Sequence, residues 1–413
     1  MDILRFITAG SVDDGKSTLI GRLLHDSKSI MIDQLQAIEK QSKNMDEGEI
    51  DLALLTDGLR AEREQGITID IAYKYFSTPN RKFIIADAPG HIQYTRNMIT
   101  GASNSDLAII LIDAENGVIE QTKRHSIIAY LLGIKHIVVT VNKMDLVNYS
   151  EEVFNRIVTD YKNAAALIGI KNVTFIPISA KKGDNIVDPS QKLPWYKGET
   201  LMHHLENVKL DEDIDLETPR FPVQFVIRPQ TEELRDYRGY AGKIISGIYR
   251  KNDKITVLPS GVESRISKIE VASIETEEAF APQSVVLHLE TDVDISRGDM
   301  IVNSNKLPEV GQDFEVVLCW MSNQKLVSGN KYLLQIGSRR VKSVIKEMEY
   351  KIDVNTMLKE PSPEQGGLND LLKVRIKTAS PIAYDSFTKL KVNGCAILID
   401  ETSNSTVAAC MIQ

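Results

Sequence analysis

Short, continuously apolar runs alternate with amphipathic stretches through the first half of the chain. Runs at 3–9, 82–86, 107–113, 136–141 and 174–178 carry hydrophobic side chains at nearly every position, as strands buried on both faces do. Between them, 121–132 and 151–167 repeat apolar residues at three- and four-residue intervals, which predicts helices. Strand and helix in alternation predict a mostly parallel α/β sheet covered on both faces. The pattern changes after the acidic stretch DEDIDLE at 211–217 and the prolines Pro219 and Pro222. From there short alternating strands separated by turn residues follow one another: QFVIRP, GYAGKIISGIY, DKITVLPSG and SVVLHLE, then FEVVLCWM, NKYLLQIG, DLLKVRIK and GCAILID. That texture is all-β. A second break near 306–311 divides it, so the expected organisation is an α/β domain at 1–215 and two β-barrels at 216–306 and 307–413. One large sandwich is the alternative arrangement of the same strands.

Length and composition agree with a multidomain folded protein. A chain of 413 residues exceeds one ordinary core, and its 42% hydrophobic and 26% charged residues are near globular averages. No run approaches the roughly 18 apolar residues of a membrane span, and the opening MDILRF lacks the layout of a signal peptide, so a cytoplasmic protein is expected. Cys319, Cys395 and Cys410 form no CxxC pair and read as reduced, buried residues. A formal net charge of -8 argues against an extended phosphate-backbone footprint, so no nucleic-acid partner is expected.

The first strand runs into Gly10, Ser11, Val12, Asp13, Asp14, Gly15, Lys16, Ser17 and Thr18, which fits GxxxxGK[ST] and leads into the helical LIGRLL. Glycines let backbone N–H groups turn inward around phosphates, and the helix N-terminus adds its positive end. Lys16 is then the residue for the β and γ phosphates, and the Ser17 hydroxyl a ligand of Mg2+. Asp87-Ala88-Pro89-Gly90-His91 ends the strand FIIA, where a loop from the carboxyl edge faces the same phosphates. There Asp87 supports the metal, and Gly90 offers a backbone N–H that a side chain would obstruct. Thr68, within REQGIT, is the candidate second hydroxyl on Mg2+.

Asn142, Lys143, Met144 and Asp145 follow the strand HIVVTV. The Asp145 carboxylate matches the two N–H donors of guanine, whereas adenine would leave a charged acceptor poorly paired at a cost of about 1–3 kcal/mol. Ser179, Ala180 and Lys181 present backbone N–H groups to the guanine O6, so GTP is the expected nucleotide. His91, directly after DAPG, is the candidate for orienting the hydrolytic water. His203 and His204 have no evident carboxylate or cysteine pattern and read as structural or surface groups.

Those motifs, VDDGKSTLIGRLL, DGLRAEREQGITID, DAPGH with QYTRNMITGAS, and NKMDLV, resemble the GTPase (large) subunit of bacterial heterodimeric sulfate adenylyltransferase. The resemblance extends through Tyr237-Arg238-Gly239-Tyr240-Ala241-Gly242, VLPSG at 257–261 and the ending ILIDETSNSTVAA. It implies an elongation-factor-like G domain followed by two barrels. It also implies GTP hydrolysis coupled to formation of adenosine 5'-phosphosulfate and pyrophosphate from ATP and sulfate, with adenylyl transfer carried by a separate small catalytic subunit as obligate partner. Ile92 departs from the family's usual Glu, and Cys410 from a common Gly. No second P-loop follows, so a fused adenosine-phosphosulfate kinase is not expected. An elongation factor carrying aminoacyl-tRNA shares the architecture, but VDDGK in place of VDHGK and the acidic balance favour the sulfate enzyme.

Overall fold

The computed structural model describes residues 2–29, 52, 70–90, 95–210, 215–229, 237–353, 356 and 358–413. Two compact units divide between Leu210 and Asp211.

In the first unit, six strands form one sheet: β1 (Ile3–Ala9), β2 (Ala72–Ser77), β3 (Lys82–Asp87), β4 (Leu107–Asp113), β5 (His136–Asn142) and β6 (Val173–Pro177), in the order β2-β3-β1-β4-β5-β6. All neighbours run parallel except β2, which joins β3 antiparallel at the edge. The central strand β4 is buried along its whole length, as its unbroken LAIILID requires. Edge strand β2 instead alternates, with Tyr73 and Tyr75 outward and Phe76 inward, where it stacks on Phe83 at 4.5 Å between centroids. The helices are α1 (Lys16–Asp26), α2 (Thr95–Ser103), α3 (Glu120–Leu131), α4 (Glu151–Ile168) and α5 (Leu201–Asn207). Leu19, Ile20 and Leu23 of α1 pack into the core with Leu4, Phe6, Phe83 and Ile85 of the sheet. The long helix α4 starts at Ser150, whose hydroxyl accepts from Val153 N–H, and stops at Gly169, whose φ of 94° satisfies the last turn in a conformation glycine tolerates. A hydrogen bond of 2.8 Å between Ser126 Oγ and the Tyr161 hydroxyl locks α3 to α4.

The second unit holds two closed antiparallel barrels of six strands each. In the first, Arg220–Ile227 pairs with Gly239–Lys243 and Met300–Asn303, and the circuit closes where Lys254–Leu258 meets Val262–Val271. In the second, Glu309–Trp320 pairs with Leu371–Tyr384 and Thr406–Ile412, and closure is between Lys331–Ile336 and Arg339–Ile352. Closure rules out the single sandwich and leaves no long open edge. Each barrel centres on aromatic residues whose polar ends find carbonyls. Tyr240 and Tyr249 hydroxyls donate to Val293 O and Ile301 O, and the fully buried Trp320 donates from Nε1 to Gln324 O. Cys319 and Cys410 are buried and all three cysteines are free thiols.

Candidate functional site

Parallel pairing of β1 with β3 and β4 brings the carboxyl ends of these strands to one edge of the sheet, with Thr8 opposite Asp87 and Asp113 opposite Asn142 on β5. Loops leaving that edge must converge, which is where open α/β sheets hold ligands.

The loop after β1 turns sharply into α1. Asp13 has φ of 66° and Gly15 φ of 90°, and a Cβ on Gly15 would lie 2.4 Å from Asn142 Nδ2. Glycine is therefore required there on two counts. Lys16 opens α1 with its side chain buried, and Nζ donates to Gly10 O at 2.9 Å and Ser11 O at 2.6 Å. Burial lowers its pKa, while Asp87, Asp14 and Asp13 hold it up. Within the same loop Ser11 N–H donates to Asp14 Oδ2 at 2.5 Å. Burial pushes the Asp14 carboxyl up to about 6 against that hydrogen bond and the Lys16 charge. Val12 and Asp13 are exposed, and Ser17 and Thr18 are half-buried.

Asp87, Ala88, Pro89 and Gly90 are all buried at the end of β3. A Cβ on Gly90 would stand 2.6 Å from Lys16 Nζ and 2.9 Å from Gly10 O, so this loop lies directly against the first. Gln121 of α3 holds it there, donating from Nε2 to Gly90 O at 2.8 Å. His91 and Thr68 lie outside the described residues.

The third group meets the first. Asn142, buried at the end of β5, donates from Nδ2 to Asp14 O at 2.8 Å and accepts at Oδ1 from Ala180 N–H at 2.9 Å. One side chain thus spans the Gly10–Lys16 loop and the 179–182 loop. Asp145, half-buried, accepts at Oδ1 from Ser179 Oγ at 2.6 Å. Lys143, at φ of 61°, extends Nζ to Asp113 Oδ2 at 2.8 Å, and Lys181 is exposed. Arg22 of α1 donates to the carbonyls of Ala180 and Lys181.

Three of these positions escape a motif reading. Asp113 shows only as an acid ending a buried strand, Gln121 carries no signal, and Arg22 is the lone cation in the apolar turn LIGRLL. One expectation needs correction: His203 and His204 do have a carboxylate partner. Both turn Nδ1 to Glu199, at 2.9 and 2.6 Å, because Glu199 lies about one helical turn before them, just ahead of the Thr200 cap of α5.

An α/β sheet with these four loops on its carboxyl edge, followed by two closed barrels, is the architecture of an elongation-factor-type GTP-binding protein. The family described as "Elongation factor Tu GTP binding domain" matches residues 1–219, and "GTP-eEF1A C-terminal domain-like" matches 313–413. The chain is 53% identical to sulfate adenylyltransferase subunit 1 of Aliarcobacter butzleri, over 100% of its own length and 87% of that protein. It is 52% identical to sulfate adenylyltransferase subunit 1 of Alteromonas mediterranea, with the same coverage, and 49% identical to the bifunctional enzyme CysN/CysC of Mycobacterium tuberculosis, over 99% of this chain and 67% of that one. A solved structure of sup35 complexed with GMPPNP is 22% identical with a TM-score of 0.46, over 100% of this chain and 93% of that one. The chain belongs to the sulfate adenylyltransferase subunit 1 family, built on an elongation factor Tu GTP binding domain. Among the described residues, no helix is long and apolar enough to cross a membrane.

Proposed function

We propose that this chain is the GTPase subunit of a sulfate adenylyltransferase. It binds and hydrolyses GTP and couples that hydrolysis to synthesis of adenosine 5'-phosphosulfate and pyrophosphate from ATP and sulfate. The observation that carries the nucleotide half of this reading is the Asn142 side chain, which ties the Gly10–Lys16 loop to the 179–182 loop, the one that would hold a guanine. The full-length likeness to proteins named sulfate adenylyltransferase subunit 1 carries the other half.

The residues fit a triphosphate. A Cβ at Gly90 or Gly15 would press on Lys16 Nζ or Asn142 Nδ2, and among the described residues the buried Lys16 ammonium donates to two loop carbonyls it can exchange for phosphate oxygens. Gly10, Ser11, Val12, Asp13, Asp14, Gly15, Lys16, Ser17 and Thr18 would wrap the phosphates, with Gly90 at the γ position. Asp145 and Asn142 with Lys143, Ser179, Ala180 and Lys181 would hold the base. Mg2+ would be held by the hydroxyls of Ser17 and Thr68 with support from Asp87, and would supply positive charge to neutralise the phosphate oxygens. His91 would orient the hydrolytic water. Forming a sulfate–phosphate anhydride is uphill, and a domain that switches between GTP and GDP states can drive it by differential contacts with a partner. That partner is a separate small catalytic subunit, in the cytoplasm.

The deciding experiment purifies the chain with the small catalytic subunit and follows adenosine 5'-phosphosulfate from ATP and sulfate with and without GTP. Product formation that rises with GTP is expected. GTP turnover without any effect on adenylyl transfer, or stable capture of aminoacyl-tRNA instead, overturns the assignment.

A further inference from the structure

The 179–182 loop is held from behind by a residue of the phosphate-side helix. Arg22, half-buried on the second turn of α1, donates from Nε to Ala180 O at 3.1 Å and from Nη2 to Lys181 O at 2.5 Å, with Nη1 3.7 Å from Asp26 Oδ1. A guanidinium is planar and its donors form a rigid fork, so two successive carbonyls that meet it fix two successive peptide planes. In a trans peptide the carbonyl and the following N–H point in opposite directions. The Ala180 carbonyl aimed at Arg22 therefore turns Lys181 N–H away from α1. The Lys181 carbonyl likewise turns Lys182 N–H, which donates to Ser179 Oγ at 3.2 Å, the hydroxyl that reaches Asp145 Oδ1. The loop closes on itself through Gly183 N–H to Ser179 O at 2.8 Å, with Gly183 at φ of 78°. None of these internal bonds orients the 180–181 peptide. Arg22 does.

We propose that Arg22 is a positioning residue for base recognition: by gripping the Ala180 and Lys181 carbonyls it aims the Lys181 N–H at the O6 edge of a guanine. The proposal rests on the reading of this site as a guanine site. Arg22 lies six residues beyond Lys16 on the same helix, so the loop that reads the base and the residue assigned to the phosphates share one rigid element.

The test compares the full chain with Arg22→Ala and Arg22→Lys by competition against a fluorescent GDP, using GDP, inosine diphosphate and the diphosphate of 2-aminopurine riboside. GDP and inosine diphosphate carry O6, and the 2-aminopurine nucleotide lacks it. Arg22→Ala is expected to weaken the two O6-bearing nucleotides about tenfold, as loss of one well-placed hydrogen bond would. The 2-aminopurine nucleotide should bind unchanged. The ratio of GDP to inosine diphosphate, which reports Asp145 and the exocyclic amine, should stay at its wild-type value. Arg22→Lys, with a single compact donor group, should fall between. Equal weakening of all three nucleotides marks a general structural role and overturns the proposal, as does no change in any. Absence of a GDP preference over inosine diphosphate in the wild-type chain removes the guanine reading itself, independently of Arg22.

Discussion

Arg220 and Asp385 form a bidentate ion pair in the interior of the second unit, Nε to Oδ2 and Nη2 to Oδ1, each at 2.8 Å. Arg220 begins a strand of the first barrel and Asp385 follows a strand of the second, so the pair bolts the barrels together. Four of the five guanidinium N–H groups are used, since Arg220 Nη1 also reaches Pro219 O and Lys306 O, and Asn393 Nδ2 donates to Asp385 Oδ2 at 2.7 Å. Breaking such a pair on one side leaves a buried charge, which costs about 3–5 kcal/mol, whereas replacing both partners by apolar residues can be near neutral. Asp385→Ala is therefore expected to destabilise the second unit by about that amount in urea unfolding, and Arg220→Met with Asp385→Leu to recover most of it. Equal losses in the single and double variants would show that the surrounding packing, not the charge pair, holds the joint.

Asp14 gives the first unit an acid-side signature. Its folded pKa is raised from 3.8 to about 6 by burial, so its contribution is fully present below the unfolded value and is lost as pH rises through 6. Between pH 7.5 and 5 the nucleotide-free protein gains about 1.4 kcal/mol from this group. Asp14→Asn keeps an oxygen for Ser11 N–H and removes the charge. Its melting temperature at pH 7.5 is expected to exceed the wild type by a few degrees, with the difference about halved at pH 5 and closing only below the unfolded value of 3.8.

His125 acts with the opposite sign. It is buried in α3, and among the described residues its Nδ1 has no hydrogen-bond partner. Burial first, then the Lys16 and Arg124 charges, lowers its pKa from 6.5 to about 3. A base depressed in this way supplies stability above pH 6.5 that is lost as pH falls, about 2 kcal/mol between pH 7.5 and 5. His125→Leu should flatten that acid limb in a melting series. An unchanged limb would place the sensitivity on other groups.

His91 falls outside the described residues. It follows Gly90 directly, and Gly90 lies against Lys16. His91→Ala is expected to slow single-turnover GTP hydrolysis about a hundredfold or more while GTP affinity changes less than threefold. A wild-type rate would assign the water to another group.

The strands that build the site were legible because burial on both faces leaves a plain signal. The run at 107–113 is a buried strand at those very residues, and 136–141 extends only by Asn142. Edge strand β2 went unread because one solvent face breaks its apolar run into AYKYFS. Motifs revealed the loops, since phosphate cradles need glycine and lysine at fixed spacing. Arg22, Gln121 and Asp113 stayed hidden because their partners, two carbonyls, Gly90 O and Lys143, become neighbours only through the parallel sheet. A residue that acts on a backbone atom far along the chain leaves no local pattern to read.

Asp145 offers the sharpest test of the nucleotide. Its Oδ1 accepts from Ser179 Oγ at 2.6 Å, and Ser179 Oγ also accepts from Lys182 N–H, so the carboxylate is oriented by the loop it helps to order. In Asp145→Asn the amide oxygen can still take the serine hydroxyl, so the loop geometry should survive. What changes is the edge shown to the base. A carboxylate offers acceptors to the N1–H and the amine of guanine, while an amide offers one acceptor and one donor, matching N1–H and the C2 carbonyl of xanthine. Pairing the amide with guanine sets donor against donor and leaves a polar group unsatisfied, at about 1–3 kcal/mol. GTP affinity should therefore fall about 10- to 100-fold in competition binding, and xanthosine triphosphate affinity should rise until the order of preference inverts. If both nucleotides weaken together, the substitution has damaged the loop, and Ser179→Ala should reproduce that uniform loss. If GTP affinity is untouched, Asp145 does not read the base.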